Sequence, residues 1–318
     1  MLKLLVALTF AAPFTIADAA DYPSKPIRLV VPQPPGGGTD FVARMLAQKL
    51  SERLGQQVIV DNRSGAGGIV GTELVARSPA DGYTLLLGYT GALTINPNLH
   101  QQLPYRPVED FDPISLAVAS PFLLTVHPSL RVSTVAELIA LAKSRSVPLN
   151  YSSPGNGSLH HLAMEWFKSA TGVNYVHVPY KGSLSFNAVM SGEVSLTFIS
   201  VVSGLPQVKA RRVIALAVTS KNRSRAIPEL PTVAEAGVAG FEATNWFGVL
   251  APHLTPKPII ARLSTLIATQ TAAPDVRARL LSDGAEPVGS TPEEFAALIK
   301  TELKRWGEIV KRSGAKVD

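Results

Sequence analysis

Ile27-Arg28-Leu29-Val30-Val31-Pro32-Gln33-Pro34-Pro35-Gly36-Gly37-Gly38-Thr39-Asp40 decides how this chain folds. The mostly apolar, β-branched run Ile27–Val31 predicts a buried strand. The Pro/Gly cluster then breaks it. Thr39 sits where an N-cap belongs. Phe41, Val42, Met45, Leu46 and Leu50 recur at helical spacing up to Leu54, and Gly55 is the stop. The loop therefore lies at the carboxyl end of a strand and the positive end of a helix. Its consecutive glycines free the backbone to turn N–H groups inward, which points to an anion site built from main chain.

The alternation continues outward from this unit. Further strands are expected at Val58–Val60, Tyr83–Leu87, Phe122–Val126, Leu149–Ser152, Tyr175–Val178, Ser195–Ile199, Val213–Thr219 and Trp246–Leu250. Helices are expected at Ile69–Arg77, Leu159–Ala170, Ser183–Met190 and Pro258–Ala268. Capping boxes start at Thr134, Thr232 and Thr291; the last opens a helix to about Arg312, with Phe295, Ile299 and Trp306 on one face. This is an α/β fold with mainly parallel sheets. A chain of 318 residues exceeds one ordinary core, so two lobes are expected. The boundaries read as residues 20–118 and 245–318 for the first lobe and 119–244 for the second. Two strands would cross between them, near Pro113–Pro121 and Phe241–Trp246.

The first residues are a different kind of sequence. A basic start at Lys3, an apolar stretch Leu4–Ile16 and small residues at Ala17 and Ala19 predict a cleaved secretory signal peptide over residues 1–19. The stretch is shorter than the roughly 20 residues that span a bilayer. Export, with no cysteine anywhere, suits a periplasm and excludes disulfides, thiolate metal sites and a Cys nucleophile. The net charge of +6 is dispersed. The densest run, Lys221–Arg225, lacks aromatics for base stacking, so a nucleic-acid partner is not expected.

Polar and glycine-rich segments fall at the carboxyl ends of strands, where open parallel sheets bind ligands. They are Gln33–Asp40, Gly88–Asn96, Ser152–His161 and Pro179–Ser183, two from each expected lobe, with Ser200–Gly204 as a weaker fifth. The third repeats the first: Pro154-Gly155-Asn156-Gly157-Ser158 and then a helix. Two helix N-termini facing one cleft suit a carboxylate at each end. Asp40 reads as an early-turn acid favoured by the helix dipole, or as an acceptor for a ligand amine or water. Of the adjacent His160 and His161, one is expected to be structural and His161 to line the site. Lys181 stands at the cleft mouth or is simply solvated.

Other chemistries lack their motifs. No P-loop lysine follows Gly36-Gly37-Gly38 and no Gly-x-Ser-x-Gly elbow exists. Gly65-Ala66-Gly67-Gly68 resembles a dinucleotide fingerprint with a displaced glycine, and reads as a tight turn with close helix packing. The histidines lack zinc spacing and no paired carboxylates stand out. No metal, cofactor or catalytic residue is expected.

The chain resembles the tripartite tricarboxylate transporter receptors, also called the Bordetella uptake gene family of periplasmic binding proteins. The resemblance rests on Val31-Pro32 through Pro35-Gly36-Gly37-Gly38-Thr39-Asp40, Asn62-Arg63 with Gly65-Ala66-Gly67-Gly68, and Ala80-Asp81-Gly82-Tyr83-Thr84-Leu85. It continues through Asn96-Pro97, His177-Val178-Pro179-Tyr180-Lys181-Gly182, Leu230–Gly237 and Trp246, covering essentially the mature chain. It implies a type II periplasmic-binding fold, two lobes on a two-strand hinge. It implies capture of a di- or tricarboxylate, acidic amino acid or aromatic acid through backbone N–H groups, hydroxyls and water. The binding residues it implies are Gly38, Thr39 and Asp40; Thr90, Gly91 and Ala92; Ser153, Asn156, Gly157, Ser158 and His161; and Tyr180, Lys181 and Gly182. Gln33 and Ser200 join them as departures, standing where the family has an aromatic and often an aspartate. Ser64 replaces a common proline, and Ser183–Met190 lacks an acid. The expected role is a monomeric, non-enzymatic receptor that hands a carboxylate to membrane transporter subunits; the alternative is a sensor that presents the closed form to a signalling partner.

Overall fold

The computed structural model of the protein describes residues 22–181 and 184–316. The expected signal peptide and Gly182 lie outside them.

The strand and helix of the opening unit form as read, but the N-cap is Gly37, and Thr39, expected there, lies inside the first turn. Strand β1 (Ile27–Val31) is almost wholly buried, and helix α1 (Gly38–Leu54) ends on Gly55 in the left-handed conformation. β2 (Val58–Asn62), α2 (Ile69–Ala76) and β3 (Thr84–Tyr89) follow, and β1 pairs in parallel with both of its neighbours. A π-helical turn, Gly91–Ile95, leads into the short α3 (Asn96–Leu99).

The long strand β4 (Phe111–Val126) links two sheets. Its first part pairs antiparallel with β9 (Thr244–Pro252), up to Pro121 opposite Thr244. From Phe122 its partners are β7 (Leu196–Ser200) and β8 (Ile214–Val218). Between these come α4 (Val135–Ser144), β5 (Asn150–Ser153), α5 (Leu159–Thr171), β6 (Val176–Pro179), α6 (Leu184–Met190) and α7 (Val201–Lys209). β5 pairs in parallel with β6 and β7. Helices α8 (Lys257–Ala272) and α9 (Pro274–Ser282), strand β10 (Glu286–Pro287) and α10 (Pro292–Ser313) complete the chain. The strand order is β2-β1-β3-β9-β4-β7-β5-β6, with β8 and β10 on β4.

The crossing strand expected near Pro113–Pro121 is the first part of β4, and shifts in the β9 register at Pro113/Ser115 and Leu116/Val118 accommodate its irregular pairing. Two elements depart from expectation. At Thr232 the box forms, Glu235 N–H to Thr232 Oγ1 at 3.0 Å and Thr232 N–H to Glu235 Oε2 at 2.9 Å, yet only turns follow. The expected weak loop at Ser200–Gly204 is the start of α7, with Ser200 as its N-cap.

Each sheet has its own core, and α10 belongs to both. Its reciprocal Thr291–Glu294 capping box starts it. Phe295 and Ile299 pack with Val30, Leu86 and Trp246 of the first sheet. Trp306, Ile309 and Val310 pack with Phe167, Phe198 and Phe241 of the second. Residues 245–318, expected in the first lobe, thus include helical turns that pack on the second. Burying a Phe or Ile side chain stabilises by about 1.5–3 kcal/mol, so both attachments matter.

Candidate ligand cleft

Loops from the carboxyl ends of both sheets meet at a cavity of about 590 Å³. From the first side come Gln33, Ala66, Gly67, Tyr89, Gly91, Asn96, Leu99 and His100. From the second come Phe122 and Pro154 to His160, and Asn245 of β9 lies between. Among the described residues this lining holds no Lys, Arg, Asp or Glu. The position follows from topology, because crossovers leave the strand ends of a parallel sheet open.

The first loop is braced from behind. Asp40, 4% exposed, accepts from Gly36 N–H at 3.0 Å, Arg44 Nε at 2.9 Å and Asn62 Nδ2 at 3.0 Å. The Arg44 hydrogen bond is the main cause that holds its carboxyl below the usual range; burial opposes it. Asn62 Nδ2 also donates to Gln33 O at 3.1 Å, and Thr39 Oγ1 donates to Gln33 Oε1 at 2.7 Å. Asp40 and Thr39 therefore shape the loop, while Gln33 reaches the cavity.

The loop Gly65–Gly68 joins the lining, and the sequence was read only as a tight turn there. The close helix packing expected of it is present: a Cβ on Gly71 would lie 2.6 Å from Arg63 O. Gly67 O accepts from Tyr89 Oη at 2.7 Å and Asn96 Nδ2 at 3.0 Å, fixing the loop against the cavity wall. Burial pushes the Tyr89 phenol up. Repeated glycines ahead of a helix are the signal for it, the same one that marks Gly36–Gly38 and Gly155–Gly157.

Of Thr90, Gly91 and Ala92, only Gly91 lines the cavity. Thr90 is fully buried; its hydroxyl accepts from Trp246 N–H at 3.1 Å and lies 3.3 Å from Thr244 O, clasping β9. Ala92 is core.

On the second side Asn156, Gly157 and Ser158 line the cavity at the start of α5. Ser158 Oγ caps the helix, accepting from His161 N–H at 3.2 Å and donating to Gly155 O at 2.8 Å. Leu159 and His160, in the first turn of the helix, line the cavity, and first-turn N–H groups have no intrahelical acceptor. His161 stands behind the loop: its Nδ1 accepts from Gly157 N–H at 3.1 Å. Its ring stacks on His177 at 4.1 Å, which stacks on Tyr151 at 4.8 Å. Ser153 Oγ lies 2.7 Å from His177 Nε2 in the same buried group. Burial lowers both imidazoles, His177 to about 4. His160, one residue earlier, is the histidine in the cavity, its ring 4.4 Å from that of Phe122; burial lowers it to about 4.

Tyr180 and Lys181 do not reach this lining: Tyr180 Oη donates to Glu193 Oε1 at 2.8 Å, and Lys181 is exposed. Ser200 Oγ accepts from Ser203 N–H at 3.3 Å and is also outside the lining. No group of three His, Asp or Glu fit to hold a metal occurs among the described residues.

Two sheets on a shared pair of strands, with a cleft at the strand ends, define a two-lobed solute-binding protein of the type II periplasmic class. The chain belongs to the tripartite tricarboxylate transporter family receptors, whose profile matches residues 42–315. These are substrate-binding receptors rather than enzymes. A protein from the tcbD-tcbE intergenic region of Pseudomonas sp. strain P51 is 40% identical over 96% of this chain and 91% of its own length. BugT of Bordetella pertussis is 38% identical over 94% and 93%. An R. palustris protein solved with adipate superposes with TM-score 0.81 at 39% identity, covering 93% of this chain and 99% of its own. MatC of Rhodopseudomonas palustris, solved with bound malate, gives TM-score 0.76 at 31% identity, covering 91% and 100%. No described helix is long and apolar enough to cross a membrane.

Proposed function

We propose that this protein, exported through its residue 1–19 leader, captures a small carboxylate in the periplasm and delivers it as a monomer to a tripartite tricarboxylate-type transporter. One observation carries the reading. The cavity between the sheets holds glycine loops and the first turn of α5 but, among described residues, no fixed charge. Backbone N–H groups at a helix start attract an anion without an arginine clamp. The relatives solved with adipate and with malate support a carboxylate.

The lobes we propose are residues 20–118 with 245–318, and 119–244, moving about the β4/β9 pair. Ligand contacts from both sides would favour the closed form. The binding residues we propose are Gln33, Gly67, Gly91, Asn156, Gly157, Ser158 and Asn245. A thermal-shift panel of C4–C8 mono- and dicarboxylates, tricarboxylates, acidic amino acids and aromatic acids on mature protein tests this. A ligand at 100 times its Kd stabilises by about 2.7 kcal/mol. No stabilisation by any acid at millimolar concentration sinks the proposal.

A further inference from the structure

The protein has six histidines. Four have ring partners: His127 with Ser129 Oγ at 2.8 Å, His161 with Gly157 N–H at 3.1 Å, His177 with Ser153 Oγ at 2.7 Å, and His253 with Asp112 Oδ1 at 3.0 Å. The other two, His100 and His160, have no ring hydrogen bond among the described residues, and both line the cleft cavity. One comes from each side: His100 follows α3 of the first sheet's side, and His160 is the second residue of α5. Among the described residues of the lining they are also the only groups able to carry a positive charge. Phe122 lies against the His160 ring, 4.4 Å between centroids and tilted by 41°, and both residues line the cavity.

We propose that His100 and His160 receive a second anionic group, so that the cleft selects a dicarboxylate over a monocarboxylate and takes up a proton on binding it. This rests on the carboxylate reading above. The first carboxylate sits on backbone N–H groups and needs no proton. The second meets neutral amides and hydroxyls of the lining and, as groups able to become cationic among the described residues, the two imidazoles. Burial alone keeps His160 neutral in the free protein. A carboxylate beside it favours the protonated form, so binding and protonation reinforce each other.

No other described residue of the lining supplies that charge. Tyr89, the remaining titratable group of the lining, donates its hydroxyl to Gly67 O. Asp40 and Arg44 bind each other behind Gln33. Glu165 and Lys168, further along α5, pair at 2.8 Å outside the lining.

Calorimetry tests the proposal, using C4–C8 dicarboxylates, each against the monocarboxylate of equal chain length. Titrations are run at pH 6.5 and 8.0 in buffers of different ionisation enthalpy. The expected result is preferred dicarboxylate binding with uptake of up to one proton at pH 6.5. Affinity then falls severalfold by pH 8.0, at most about tenfold per pH unit for one proton. H160Q, which keeps hydrogen bonding without the charge, should lose the pH slope and proton uptake yet keep its melting temperature at pH 8.0. H100Q is the second variant, expected to reduce both. Equal binding of both acid classes without proton uptake overturns this inference and leaves the carboxylate reading intact. Preference for monocarboxylates, or an unchanged pH slope in both variants, also overturns it. Absence of binding by every acid overturns both.

Discussion

Replacing Glu302 by Gln should make the protein more stable at pH 8 and leave it nearly unchanged at pH 5. Glu302 is 4% exposed on α10, beneath the strand that joins the sheets. Its Oε2 accepts from Trp246 Nε1 at 2.7 Å and Trp306 Nε1 at 3.4 Å, and Thr94 Oγ1 lies at 3.5 Å. Arg305 is 4.0 Å away, too far to offset burial, and Glu242 adds a like charge. Burial pushes the carboxyl from its ordinary 4.5 up to about 7. Between those values the folded protein holds a proton that the unfolded chain has lost, so stability falls as pH rises through this window. The full cost is about 3 kcal/mol at 1.36 kcal/mol per pH unit. Gln removes the ionisation and, like the protonated carboxyl, accepts from Trp246 as a neutral group. The net gain at pH 8 is therefore about 3 kcal/mol. Urea unfolding of wild type and E302Q at both pH values, followed by tryptophan fluorescence, reads it directly. Equal destabilisation of E302Q at pH 5 and pH 8 would refute the reasoning, because it would mean that the carboxyl is not held protonated by its surroundings.

Three further substitutions probe the frame of the cleft. D40N replaces the acceptor shared by Gly36, Arg44 and Asn62; it should cost about 1–3 kcal/mol in urea unfolding and weaken ligand affinity in calorimetry. T90V leaves the Trp246 N–H without its partner and should cost about 1–3 kcal/mol by the same assay, with T90S restoring most of it. G248A would set a Cβ 2.2 Å from Phe295 Cζ, between β9 and α10; overpacking there should cost about 1–3 kcal/mol, read as a lower melting temperature.

The strand–loop–helix unit at Ile27–Leu54 was legible because apolar run, breaker and helical period are all local. The start of α10 was legible for the same reason, since its capping box is written within four residues. What was not legible depends on distant partners. A crossing strand near Pro113–Pro121 was expected, but its start at Phe111 and its shifted register depend on β9. Thr90 and Ser153 sit in cleft-forming loops, yet their hydroxyls turn inward to Trp246 and His177. His160 and His161 differ by one helical step of about 100°, which alone decides that one meets the cavity and the other Gly157. The sequence marks the first turn of α5 without saying which of its faces the sheet will cover.

The hinge and α10 together limit what a ligand can do. β4 exchanges β9 for β7 and β8 between Pro121 and Phe122, so bending there disturbs no continuous ladder. α10 is anchored on the first sheet by Phe295 and on the second by Trp306, with Glu302 bonded to Trp246 between the two anchors. A large separation of the sheets would have to strip one end of this helix from its core, at about 1.5–3 kcal/mol for each large apolar side chain exposed. Motions that keep both ends of α10 packed are therefore favoured over motions that strip one end. A ligand that bridges the two sides would then shift the balance between open and closed forms by its differential contacts with the two.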